Sequence, residues 1–186
     1  MLKVAVFLDY ANVSASSNFI HCEVDYGALL SYLADESESR LLQLAYAYVP
    51  IDPRREHAMD ETIAKLWGYG YIVKSKTGTP AGNTYKCDFD VEMTLDMVRT
   101  AFDVKPEIVV IVSGDSDFIP VVLDLRDKGI RVEVASFNNS MSQKLSSRCS
   151  GIIRLDELIE NNLQCENDSF MPDQPADDYS QLEELD

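Results

Sequence analysis

Histidine, paired cysteines and positive charge are all in short supply in this chain. Two histidines and four cysteines (Cys22, Cys87, Cys149, Cys165) occur in 186 residues, with no Cys-x-x-Cys spacing. That excludes the usual zinc-ligand patterns and a disulfide framework, and it suits a cytoplasmic protein with reduced thiols. No apolar run approaches the roughly 20 residues of a membrane span. The chain enters a strand at Lys3, which leaves no room for a signal peptide. Lysine and arginine total 16 against 32 acids, a formal charge of −16. So acidic a chain is no general nucleic-acid coat, because such binding is driven mainly by phosphate neutralisation.

Part of that charge is local. Residues 166–186 hold eight acids and no lysine or arginine; without them 24 acids face 16 bases, a charge of −8. This stretch has too few large apolar residues to offset the entropy of ordering it, so residues 164–186 read as a disordered acidic tail. It would keep the protein soluble, bind a protein partner or mimic nucleic-acid charge. Residues 1–163 read as one domain, long enough for a substantial core.

Within that domain apolar runs alternate with helical periodicity, the pattern of βαβ units. Strands are expected at about Lys3–Leu8, Leu41–Val49, Tyr71–Lys76, Ile108–Val112, Ile130–Ala135 and Ile152–Leu155. Helices are expected at Val24–Ala34, from Pro53 to Trp67, Phe89–Phe102, Phe118–Lys128, Met141–Arg148 and on to Leu163. The helix from Phe89 should bury Val91, Leu95 and Val98 or their neighbours, and residues 77–83 read as a flexible loop. The fold class is therefore α/β with a mainly parallel sheet.

The informative feature is where the two most apolar strands end. Val4-Ala5-Val6-Phe7-Leu8 runs into Asp9-Tyr10-Ala11-Asn12. Ile108–Val112 runs into Ser113-Gly114-Asp115-Ser116-Asp117. Like charges at the end of buried strands are unfavourable unless a cation compensates them. In open parallel sheets the crevice beyond the strand ends is where ligands bind. A divalent-metal site follows, and an all-carboxylate set suits Mg²⁺ or Mn²⁺. Each acid has a plainer role open to it: Asp9 or Asn12 can cap a turn, and Ser116 or Asp117 can cap a helix. The third acidic segment is Lys86-Cys87-Asp88-Phe89-Asp90. There Asp88 is expected as the helix N-cap and Asp90, in the first turn, can aim at the crevice. Asp96, about 9 Å further along the axis, reads as an outer partner or a solvated charge. Lys86 would offset the acids, touch a phosphate or be an ordinary surface lysine.

Taken together, Phe7-Leu8-Asp9-Tyr10-Ala11-Asn12, Lys86–Asp90 and Ser113–Phe118 resemble the NYN domain, a branch of the PIN-like nucleases, and its LabA-like group in particular. The resemblance runs from about Lys3 to Leu163. It implies a Rossmann-like three-layer α/β/α sandwich and metal-dependent hydrolysis of RNA, single-stranded by preference. It also implies that Asp9, Asp90, Asp115 and Asp117 form the metal-binding catalytic quartet, with Asn12 the family's asparagine. Asn12, Ser113, Ser116 and Lys86 are substrate-side candidates, with Asp88 and Asp96 secondary. Arg54, Arg55, Lys74 and Lys76 could meet the backbone, Asn138 could hydrogen-bond phosphate, and Tyr85 or Phe137 could stack on a base. Two alternatives remain. One is a non-catalytic regulatory module on the same fold that acts through protein partners; separately, the resemblance allows a homodimer, since PIN-like relatives frequently pair. The other is a phosphotransferase using Asp9, which the absence of an acid at Ala11 disfavours.

Overall fold

The two apolar strands lie side by side at the centre of the sheet. In the computed structural model, which describes residues 1–158, no residue of Val4–Leu8 or Ile108–Val112 is more than 2 % exposed. Fourteen elements follow in order: β1 (Leu2–Asp9), α1 (Tyr10–Phe19), α2 (Tyr26–Leu33), β2 (Arg40–Ile51), α3 (Asp60–Gly68), β3 (Ile72–Thr77), β4 (Thr79–Ala81), β5 (Thr84–Lys86), α4 (Asp90–Asp103), β6 (Ile108–Val112), α5 (Ile119–Asp127), β7 (Arg131–Ser136), α6 (Gln143–Ser146) and β8 (Gly151–Arg154). Residues 155–158 are helical. The acidic tail and the expected continuation of the last helix to Leu163 lie outside the described residues.

The large sheet has the order β3-β2-β1-β6-β7-β8, and every pairing in it is parallel. Strand alternation divides the core into two layers. Val4, Val6 and Leu8 face one side with Val13, Leu29, Leu33 and Leu66 from α1–α3. Ala5 and Phe7 face the other with Met93, Met97, Val122, Leu125 and Leu145 from α4–α6. The result is an α/β/α sandwich. From β1 the chain builds β2 and β3 on one flank, then crosses over and builds β6, β7 and β8 on the other. The order reverses between β1 and β6, and at such a reversal the loops diverge and leave a crevice.

Several boundaries depart from the sequence expectation for visible reasons. α1 was not expected, because its Ser-rich sequence has almost no apolar periodicity; Val13, Ser16 and Ser17 form its buried face. β2 continues through Pro50 since β1 stops opposite Tyr48, so the missing N–H is not needed there. α3 begins at Asp60 rather than Pro53, because residues 52–59 turn around an Asp52–Arg54 pairing. The supposed flexible loop is a two-stranded hairpin, β4–β5, closed by Gly82 (φ 61°) and Asn83.

α4 turns a different face inward from the one expected. It buries Met93, Asp96, Met97 and Thr100, leaving Val91 and Leu95 65 % and 48 % exposed. Its inner polar groups are satisfied: Asp96 Oδ2 accepts the Tyr48 hydroxyl at 2.8 Å and the Lys74 ammonium at 2.6 Å. One carboxylate thus bolts α4 to both β2 and β3. Tyr48 also packs on Phe89, the residue before Asp90, with ring centroids 5.5 Å apart. Tyr48→Phe removes a donor from a buried charged acceptor and should destabilise the fold by about 1.5–3 kcal/mol. Urea unfolding measures this, and an unchanged midpoint would show that Asp96 does not depend on the bond.

Candidate metal centre at the strand-order reversal

The ends of β1 and β6 are joined by side chains before any ligand is considered. Asp9 is the N-cap of α1, its Oδ1 accepting the Asn12 N–H at 3.1 Å. Its Oδ2 accepts the Ser113 hydroxyl at 3.0 Å, across the gap between the two strands. Asn12 Oδ1 in turn accepts the Gly114 N–H at 3.0 Å, and the Asp115 N–H donates to Ser113 Oγ at 3.3 Å. Gly114 is required by space. A Cβ there would lie 2.1 Å from the Ser140 carbonyl oxygen. This frame fixes the direction in which the chain leaves β6.

It leaves through a short 3-10 turn, Ser116–Phe118, capped by Asp115, which accepts the Asp117 N–H at 2.9 Å. Pro120 follows in the first turn of α5. From the same layer as α5, Asp90 opens α4. Asp90, Asp115 and Asp117 each present an oxygen within 4.8 Å of the others. The consequence is electrostatic. Burial, and then the charges of Asp115, Asp88, Asp9 and Asp117, push the Asp90 carboxyl up to about 6. Asp9 is also raised, mainly by burial, against the hydrogen bonds from Asn12 and Ser113. All donors here are carboxylate oxygens, a set that fits a hard divalent cation.

The other sequence candidates fall into place around this group. Asp9 adjoins the three converging carboxylates but lies outside their cluster, its oxygens already taken by Asn12 and Ser113. Ser113 is fully buried, and with Asn12 it belongs to the frame rather than to an open substrate surface. Ser116 is half-buried in the capped turn, and Lys86 is exposed at the end of β5. Asp88 is not the N-cap of α4. That position belongs to Phe89, without a side-chain cap, and Asp88 stays exposed near enough to raise Asp90. Asp96 is neither solvated nor in the cluster; it is the buried bolt to Tyr48 and Lys74.

The basic candidates are mostly occupied. Lys76 pairs with Glu92 at 2.5 Å, and Arg54 is held by Asp52 and the Asn83 carbonyl. Asn138 is tied to Asp156 and Arg154, and Phe137 is fully buried in the core, so it stacks on no base. Tyr85 is half-buried on β5, and Arg55 is exposed. The paired ladder Lys74–Asp96 and Lys76–Glu92 was missed from sequence, although spacing carried a signal. Two residues along a strand and four along a helix both span about 6–7 Å.

A parallel sheet in the 3-2-1-4-5-6 sense, with a carboxylate cluster at the reversal, defines the class: a Rossmann-like α/β protein with a candidate metal centre. Comparison with known proteins narrows this. The NYN domain family matches residues 3–156, and the chain belongs to that family. The low amplitude and bright protein LabA of Synechococcus elongatus is 26 % identical over 164 residues, covering 84 % of this chain and 85 % of that protein. A crystal structure of a Vibrio parahaemolyticus protein of unknown function shares the fold. Its TM-score is 0.70 at 24 % identity, over 84 % of this chain and 94 % of that one. Family membership suggests a nuclease-like function. No helix among the described residues is long and apolar enough to cross a membrane.

The raised Asp90 carboxyl makes a pH-dependent prediction for metal-free protein. The folded state holds this proton more tightly than the unfolded state, whose carboxyl titrates near 3.8. Its contribution therefore favours folding below about 4 and is lost as pH rises through about 6. Asp90→Asn removes the like charge and should raise the melting temperature in EDTA at pH 7.5. The gain should shrink as the pH falls below 6. A gain that is absent, or independent of pH, would mean that neither burial nor the neighbouring acids penalise the Asp90 charge in the folded protein.

Proposed function

We propose that this protein is a metal-dependent ribonuclease, acting on single-stranded RNA with Mg²⁺ or Mn²⁺ at the acidic crevice. The observation that carries the reading is the convergence of Asp90, Asp115 and Asp117, from two separate segments, within 4.8 Å. Asp90 is raised to about 6 there. Structural acids tend to be paired with bases, as Asp96 and Glu92 are; these three face one another. They would hold the cation, with Asp9 beside them. When bound, such an ion neutralises charge on a phosphodiester, lowers the pKa of a coordinated water and orients in-line attack.

The chain's own residues have distinct parts in this proposal. Asp9, Ser113 and Asn12 keep the β1 and β6 ends in register, so that Asp115 and Asp117 point at Asp90. The Phe89–Tyr48 contact and the Asp96 bolt hold the first turn of α4 in place. Ser116 at the turn and Lys86 on the hairpin would hydrogen-bond a phosphate entering the crevice. The preference for single strands follows from charge: a duplex carries more phosphates per ångström than a single strand, and this body is itself negative. The net charge of −16 also favours a second reading, a binding module that keeps the fold without turnover.

Purified protein with millimolar Mn²⁺ or Mg²⁺ should shorten unstructured RNA oligonucleotides, and EDTA should stop it. Asp115→Asn should lower the rate by about 10²–10³-fold or more, the scale of losing a charge-stabilising contact. Cleavage that survives both EDTA and this substitution would defeat the proposal. Metal should also raise the melting temperature of the wild type, since a ligand at 100 times its Kd stabilises by about 2.7 kcal/mol. A melting shift without cleavage of any RNA would support the binding module instead.

A further inference from the structure

The outer face of α4 is apolar and, among the described residues, uncovered. Val91 is 65 % exposed, Leu95 48 % and Phe102 62 %, with Val98 between them half-buried against the edge of the core. Their spacing is four, three and four residues. At 3.6 residues per turn the four side chains fall within a stripe roughly 60° wide. That stripe lies roughly opposite the Met93–Met97 face that packs on the sheet. Isolated surface leucines need no explanation, but a continuous stripe with the repeat of a helix-pairing seam does.

We propose that this stripe is the interface of a homodimer, formed by α4 packing antiparallel on α4 of a second copy. The flanking residues select that partner and direction. On one side of the stripe stand Glu92 and Arg99; on the other are Thr94 and Ala101, whose small side chains allow close approach. In an antiparallel pair, where like flanks meet, Glu92 of each copy comes opposite Arg99 of the other, giving two reciprocal ion pairs about one twofold axis. A parallel pair, where unlike flanks meet, would set Glu92 and Arg99 against the Thr94 and Ala101 flank and form no such ion pairs. The same axis, between Asp96 and Met97, places Phe102 against Val91 of the second copy and Leu95 against Val98, large against small. Arg99 is available for this: its side chain is 70 % exposed, and its contact to Asp96 within the subunit is long, at 3.8 Å. Glu92 is 42 % exposed while bound to Lys76, so it can meet a second cation on its open side.

The arrangement does not depend on the nuclease reading. Where that reading holds, it joins the two crevices to one shared element, because Asp90 immediately precedes Val91. The two Asp90 residues would then lie at opposite ends of the helix pair, about 20 Å apart along it.

Sedimentation velocity of the full chain, from low to high micromolar protein, tests the proposal. A concentration-dependent dimer is expected for the wild type. Leu95→Asp should raise its dissociation constant by roughly thirtyfold or more, as loss of a central contact does. Because Leu95 is already half in solvent, its circular dichroism and melting temperature should stay near wild type. Glu92→Arg and Arg99→Glu should each weaken the dimer, and the double exchange should restore it, which a heterologous contact elsewhere on the surface would not reproduce. A wild type that remains monomeric throughout overturns the proposal. So does a dimer indifferent to Leu95→Asp, or single charge variants that the double exchange fails to rescue.

Discussion

Three carboxylates gathered within 4.8 Å repel one another, and the polypeptide must hold them together against that repulsion. It does so with hydrogen bonds from uncharged donors, since no lysine or arginine is paired with Asp90, Asp115 or Asp117 among the described residues. Asp9 to Ser113, Asn12 to Gly114 and Asp115 to its own turn fix the backbone, so the charges cannot move apart. The Asp90 carboxyl is pushed up to about 6, first by its burial and then by the charges of Asp115, Asp88, Asp9 and Asp117. Elsewhere the protein treats buried acids differently. Glu133 is pulled back below its ordinary value by Arg40 and Arg131 despite its burial, and Asp96 has Lys74 and Tyr48. Among the described residues the two buried acids, Asp96 and Glu133, both have basic partners, and the three converging carboxylates have none.

That place follows from topology. With every strand of the large sheet parallel, all strand C-terminal ends open on the same edge. Reversal of the strand order puts the ends of β1 and β6 next to each other. Residues more than a hundred positions apart then meet through two loops of a few residues. α4 packs in the same layer as α5 and brings Asp90, with Phe89 against Tyr48 and Asp96 bonded to Tyr48 and Lys74. The site is therefore assembled from the β1 cap and the β6 turn, tied to each other by Asp9–Ser113 and Asn12–Gly114, and from the α4 bolt.

Much of this was readable from the chain, and the failures have physical causes. Val4–Leu8 and Ile108–Val112 announce central strands because only burial on both faces tolerates such continuous apolar runs. The acids behind them mark the crevice. Helix α1 was hidden because its buried positions include Ser16 and Ser17, and its start is set by the Asp9 side chain rather than by an apolar face. The β4–β5 hairpin was hidden because its turn residues, Gly82 and Asn83, dominate its composition. α4 misled for a subtler reason. Val91, Leu95 and Val98 are more apolar than Asp96 and Thr100, so periodicity favoured the wrong face. The true inner face is allowed by partners on β2 and β3 that lie far away in sequence. Asp88 fits an N-cap by residue type, yet the helix starts one position later than that role requires.

The most direct measurement is the position of a manganese ion. An anomalous difference map from a crystal of this protein grown or soaked with Mn²⁺ should place its strongest peak among the carboxylates of Asp90, Asp115 and Asp117, bordered by Asp9. A map with no peak there at millimolar Mn²⁺, or with the metal bound only elsewhere, would contradict the account at its centre.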